Sequence, residues 1–266
     1  MSLDEKLVES LCEYIRIETV NPPGDCSKAV DFLEALLRDH GFSPEKGGVS
    51  PEKESLWVNL GGEEEPGVVL IHHMDVVPAR EEEWSFPPFS GEVRDGFVLG
   101  RGTLDTKGLG MAHLFGALKA ISEKGKLRKK VFFVANPDEE VGGDEGAGYF
   151  VSSFGNIFGN CFGLNEGGIG VKGLFGEGDF FLLNVWEKGP VWLRLTARGR
   201  AGHGSRPTPS DPPARLIRAL NRLLTREVQP EITEPVRLML EELRKRGLTG
   251  DSLEERWRGP FRRWRR

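Results

Sequence analysis

His73, Asp75, Asp105, Glu139, Glu140 and Glu166 lie in four short segments, HHMDVVP, LDTKG, PDEEVGG and NEGG, each at the end of a hydrophobic run. Imidazole and carboxylate groups in such settings are the donor set of a divalent-metal site. The chemistry they point to is hydrolysis of an amide by water held between two metal ions. In extended chain, residues two apart face the same side, so His73 and Asp75 point together and His72 points away. A carboxylate beside a ligating imidazole fixes its tautomer and raises its basicity. His73 is therefore the first expected ligand and Asp75 its orienting partner.

Each residue alone has a plainer explanation. A single histidine is more often a hydrogen-bonded structural residue. Asp105, between glycines in GRGTLDTKG, could equally cap the helix that follows. Glu139 and Glu140 read alone as a solvated acidic turn, and Glu166 as a surface loop. Together they carry more weight. Asp105, Glu139, Glu140 and Glu166 in one cleft would repel by about 3 kcal/mol per pair at ~5 Å and an effective dielectric of ~20. Several such pairs rival a domain's whole stability of about 5–15 kcal/mol. Two divalent cations remove the conflict, and the donor mixture suits zinc, with cobalt or manganese as alternatives.

The elements that must position these groups follow from periodicity. Ser2 with Glu5 forms a capping-box signal ahead of Leu3, Leu7, Leu11 and Ile15, one face of a helix. Ser27–His40 reads as a second amphipathic helix stopped by Gly41, and Leu109–Lys124 as a third closed by Gly125. Leu56–Leu60, Val68–His72 and Val131–Ala135 read as strands, the last two nearly all apolar and so covered on both faces. This alternation predicts an α/β fold with a largely parallel sheet between helices. Composition shifts near Glu187. Val191–Ala197 alternates as a half-exposed strand, and helices are expected over Ala214–Arg226 and Pro235–Arg246. The expected division is a metal-binding domain over 1–186 and a smaller, incomplete α+β domain over 187–254. A tail over 255–266, with six arginines and two tryptophans, reads as a disordered end or a product of a frameshift.

Bulk properties narrow the function classes. A chain of 266 residues with a formal charge of -5 argues against a nucleic-acid partner. No apolar run reaches the roughly 20 residues that span a bilayer, and the N-terminus does not read as a signal peptide. Cys12, Cys26 and Cys161 are scattered and odd in number, as reduced thiols in a cytoplasmic protein would be. Glycine-rich GGDEGAG does not open a helix after a strand, which discounts dinucleotide binding.

At these residues the chain resembles the co-catalytic zinc peptidases of metallopeptidase family twenty, which include aminoacylases, acetylornithine and succinyl-diaminopimelate deacylases, and glutamate carboxypeptidase. HHMDVVP, WSFPPFSGEVRDGFVLGRGTLDTKG, PDEEVGG, NEGG and GRAGHGSRP occur in the family's order. The PPFSG and NEGG wording is most similar to the carboxypeptidase S and N-acyl-amino-acid hydrolase branch. The resemblance implies that His73 and Glu166 bind one metal, that Asp105 bridges both, and that Glu140 binds the second. It makes Glu139 the general base and implies a cis peptide at Asp105–Thr106. It implies that His203, in a lid or dimerisation domain, reaches a partner copy's active site and steadies the oxyanion, so that a homodimer could form through that domain. The implied substrates are N-acyl-amino acids or short peptides.

One departure stands out. The family supplies a last histidine to the second metal after its small domain, and the only histidine here after Glu166 is His203. The expectation that follows is a weakened second metal site, an exposed sheet edge and low solubility. The competing expectation is a truncated or frameshifted, non-catalytic fragment.

Overall fold

The computed structural model describes residues 2–173, 178–185, 187, 189, 191–226 and 232–248. The arginine- and tryptophan-rich tail lies outside the described residues. The chain forms two compact units, Met1–Glu166 and Gly167–Arg266.

The first unit contains, in chain order, α1 (Leu3–Arg16), α2 (Ser27–Asp39), β1 (Glu45–Gly48), β2 (Glu54–Gly61), β3 (Glu64–His73), β4 (Glu92–Arg94), β5 (Phe97–Leu99), α3 (Lys107–Lys124), β6 (Lys129–Asn136), α4 (Tyr149–Phe154) and β7 (Cys161–Leu164). The capping box forms as expected: the Glu5 amide donates to Ser2 Oγ, and the Ser2 amide to the Glu5 carboxylate. Gly125 ends α3 at a φ of 76°, a left-handed conformation that glycine adopts without a Cβ penalty.

Five strands pair in the order β1-β2-β6-β3-β7. β3 runs parallel to both β6 and β7, whereas β2 is antiparallel to β1 and to β6. The α/β class is therefore realised by a mixed sheet whose parallel half carries the carboxyl ends of the motif strands. Alternation along β6 feeds two cores. Phe133 and Ala135 pack with Tyr14, Leu33, Leu37 and Leu114 on the side of α1, α2 and α3. Phe132 and Val134 pack with Trp57, Val69 and Phe150 on the other side. Burial on both faces explains the unbroken apolar run VFFVA. Each fully buried large side chain contributes about 1.5–3 kcal/mol.

His72 shows how closely this core is fitted. It is fully buried, within 3.2 Å of the Tyr14 hydroxyl, with its ring centroid 5.2 Å from that of Phe133. Burial pulls its pKa down to about 3, so it is a neutral core residue. A Cβ on Gly110 of α3 would stand 2.4 Å from His72 Cδ2. Gly110→Ala should therefore destabilise the fold by up to about 2 kcal/mol, read as a lower urea midpoint: overpacking costs about 1–3 kcal/mol, set against a helix-propensity gain of about 1 kcal/mol. An unchanged midpoint would mean that the ring can move.

The second unit contains the hairpin β8 (Ile169–Lys172) and β9 (Asp179–Leu182), then α5 (Pro212–Leu224) and α6 (Glu234–Lys245). Both helices match the expected ones, each with proline in its first turn. The strand expected over Val191–Ala197 does not form. Alternation alone cannot make a strand without a ladder partner. Among the described residues β8 and β9 pair only with each other, and Trp192 is 92% exposed.

Candidate metal centre

The parallel strands β3 and β6 end side by side, with His73 opposite Asn136, and β7 lies on the other edge of β3. The motif residues leave the sheet at these carboxyl ends, where open α/β sheets place their ligands. His73 is the last residue of β3 and its ring is nearly buried. Thr106 ties the Asp105 segment to that point: the His73 amide donates to Thr106 Oγ1 and the Thr106 hydroxyl donates back to the His73 carbonyl, each at 3.1 Å. The Asp105–Thr106 peptide is cis, as the resemblance implies.

His73 Nε2 lies 2.9 Å from Asp105 Oδ1, 3.5 Å from Glu166 Oε1 and 3.8 Å from Glu139 Oε2. Two groups of donor atoms lie within 4.8 Å of one another, His73 with Glu139 and Glu166, and His73 with Asp105 and Glu140. Five of the expected residues are thus brought together. Glu139, at 3.8 Å the farthest of the three from His73 Nε2, still shares a donor group with His73 and Glu166, so distance alone fits it both as base and as ligand.

Asp75 does more than orient His73. The nearest acceptor to His73 Nδ1 is the Asp75 main-chain carbonyl at 2.9 Å, with the Asp75 carboxylate at 3.5 Å. That carboxylate, fully buried, accepts the amides of Glu139 and Glu140, each at 3.1 Å, and the Asn21 amide group at 2.8 Å. It therefore holds the turn that carries both glutamates. Burial pushes the Asp75 pKa up, but its bonds to His73, Asn21 and the Glu140 amide outweigh this and leave it lowered. His203 lies in the second unit, exposed, at a turn in which its carbonyl accepts the Arg206 amide.

The electrostatics describe a site short of positive charge. Burial raises the Glu140 and Glu166 pKa values, and the neighbouring Asp105 and Glu139 carboxylates raise them further against the pull of His73. Burial works against a charge on His73, yet the Asp75 contact and the charges of Asp75, Glu166 and Glu139 raise its pKa to about 9. The carboxylates thus draw a proton onto the imidazole at neutral pH. A divalent cation supplies the same charge balance with a neutral imidazole as ligand. One imidazole and four carboxylates in reach of one another fit such an ion.

Three structural contributors were not singled out from sequence. Asn21 ends α1's connection in NPPG, Lys107 sits inside the LDTKG motif, and Asp138 precedes the glutamate pair. Lys107 is fully buried and donates to the carbonyls of Tyr14 and Ile17, at 3.2 and 2.6 Å, pinning the start of α3 to the end of α1. Burial pulls its pKa down to about 7. Its place in the motif was a signal; nothing marked Asn21.

The family model described as Peptidase family M20/M25/M40 matches residues 69–242. Aminoacylase-1 of Sus scrofa is 33% identical over 217 residues, covering 80% of this chain and 52% of that protein. The N-fatty-acyl-amino acid synthase/hydrolase PM20D1 of Bos taurus is 36% identical over 160 residues, covering 58% of this chain and 31% of that protein. The chain spans about half the length of the aminoacylases it matches. Among solved structures, the M20 family metallo-carboxypeptidase Sso-CP2 from Sulfolobus solfataricus superposes with a TM-score of 0.55 at 20% identity, covering 60% of this chain and 37% of that one.

Proposed function

This chain belongs to peptidase family M20/M25/M40, and on that premise we propose that it is a metal-dependent hydrolase of amide bonds in N-acyl-amino acids or short peptides. The observation that carries the reading is the convergence of His73 with Asp105, Glu139, Glu140 and Glu166 at adjoining strand ends. The names of the relatives, an aminoacylase and an N-fatty-acyl-amino acid synthase/hydrolase, support the substrate class.

His73 and Glu166 would hold one divalent ion, Asp105 would be shared, and Glu140 would hold the second, with zinc the best match to the donors. Bound there, such ions supply Lewis acidity toward the scissile carbonyl and toward water. The chain's own residues do the rest. Glu139, half-exposed at the mouth of the cluster, takes a proton from water and delivers it to the departing amine nitrogen. Asp75 holds the Glu139–Glu140 turn through both amides, so base and ligand keep a fixed separation. Thr106 holds Asp105 against the end of β3. The smaller unit, with His203, would act as a lid that completes the site of a second copy. No helix among the described residues is long and apolar enough to cross a membrane.

Release of free amino acid from a panel of N-acyl-amino acids and dipeptides, lost on adding chelator, tests the reading. No release from any of them at full metal loading would argue against it.

One observation favours a second reading, a non-catalytic member that binds and does not cleave. Both donor groups draw on the same imidazole, whose other nitrogen is engaged with the Asp75 carbonyl. Metal content follows directly. We expect about one tightly held zinc per chain by elemental analysis, and a second only at higher zinc concentration. Chelation should lower the melting temperature, since ligand at a hundredfold its Kd stabilises by about 2.7 kcal/mol. Two firmly retained ions would remove the case for the second reading.

A further inference from the structure

Two buried carboxylates flank the Glu139–Glu140 turn, and the function above uses only Asp75. The other is Asp138, 4% exposed, whose φ of 75° is left-handed, a conformation aspartate tolerates better than most residues. Its Oδ2 accepts the Glu145 amide at 3.1 Å, and its carbonyl accepts the Gly143 amide at 2.7 Å. Its Oδ1 lies 2.5 Å from Lys53 Nζ.

Lys53 is 8% exposed at the end of the short turn Pro51–Lys53 that leads into β2. Lysine is rarely buried so deeply unless paired. A Cβ on Gly24 would stand 2.6 Å from Lys53 Nζ and 2.7 Å from Asn21 Oδ1. The ammonium and the Asn21 side chain thus crowd the same point, and Asn21 is the residue that holds Asp75. The Lys53–Asp138 pair and the Asn21–Asp75 pair stand together behind the turn. Gly146 closes it from the far side: a Cβ there would lie 1.8 Å from the Pro137 carbonyl oxygen.

We propose that Lys53 is a positioning residue for the Glu139–Glu140 turn, acting through Asp138. Its ammonium fixes one carboxylate oxygen, which leaves the other to hold the Glu145 amide and so sets the path of the turn. A displacement of about 1 Å at a catalytic group costs on the order of a hundredfold in rate. The consequence for catalysis rests on the hydrolase reading; the consequence for the turn does not.

The test is hydrogen–deuterium exchange read by mass spectrometry on the full chain, with cobalt(II) titration beside it. In Lys53→Met, amides over 139–146 should exchange at least tenfold faster while those of β3 and β6 keep their rates. Lys53→Arg, which retains the charge, should restore most of the protection. Should Lys53→Met fail to fold, Lys53→Met with Asp138→Asn removes the orphaned charge and keeps the Glu145 acceptor, and the same amides should still accelerate. Cobalt affinity of Lys53→Met should fall by about 10–100-fold, as for other groups that orient metal ligands. Exchange over 139–146 at the unaltered rate, or equal acceleration throughout the unit, would overturn the proposal. Acceleration confined to the turn in a chain that binds no cobalt would uphold the positioning role and defeat the hydrolase reading instead.

Discussion

Glu139→Gln should lower kcat for amide hydrolysis by about 10²–10⁴-fold, the range that a positioned general acid–base group supplies, while the melting temperature barely changes. The side chain is 52% exposed and the swap is isosteric, so little folding energy is at stake. The Glu139 main-chain amide, which donates to Asp75, is untouched. Zinc content separates the two roles that distance leaves open. With Glu139 as base, the variant keeps its metal and loses its rate. A parallel loss of metal would make Glu139 a ligand and pass the proton-transfer role to another group. An unchanged kcat would exclude both.

Asp75→Ala should cost the fold about 3–5 kcal/mol, the range for removing one partner from a buried charged network, and should also weaken metal binding. The carboxylate is fully buried and accepts from three donors, the Asn21 side chain and the amides of Glu139 and Glu140, with His73 Nδ1 3.5 Å away. Truncation leaves buried donors without acceptors, each costing about 1–3 kcal/mol. Chemical denaturation of the metal-free variant reads the first effect, and zinc titration at a temperature where it stays folded reads the second. Asp75→Asn keeps one acceptor oxygen and should fall between Ala and the unaltered chain. Full stability in Asp75→Ala would mean that the Glu139–Glu140 turn finds other support.

The extent to which these features were legible in sequence follows from their range along the chain. Local signals carried: the Ser2–Glu5 capping box, Gly125 at the end of α3, and the period-two geometry that sends His73 to the cluster and His72 to the core. The donor set was legible because motif residues sit where apolar strands end. Long-range pairing was not. Lys53 and Asp138 are 85 positions apart and Asn21 and Asp75 are 54 apart, and neither lysine nor asparagine carries a local mark of its partner. The antiparallel pairing of β2 with β6 was hidden for the same reason, since periodicity reports burial and not strand direction. The strand expected at Val191–Ala197 failed on the opposite ground: its pattern was local and its partner was missing among the described residues.

The clustered carboxylates and His73 are read above as a holder of divalent cations. Crystals grown with zinc and measured on both sides of the zinc absorption edge address that reading directly. An anomalous peak is expected about 2.0–2.2 Å from His73 Nε2 and from oxygens of Asp105, Glu139, Glu140 or Glu166. An ordered cluster with no such peak, His73 bonded only to Asp105, would contradict it.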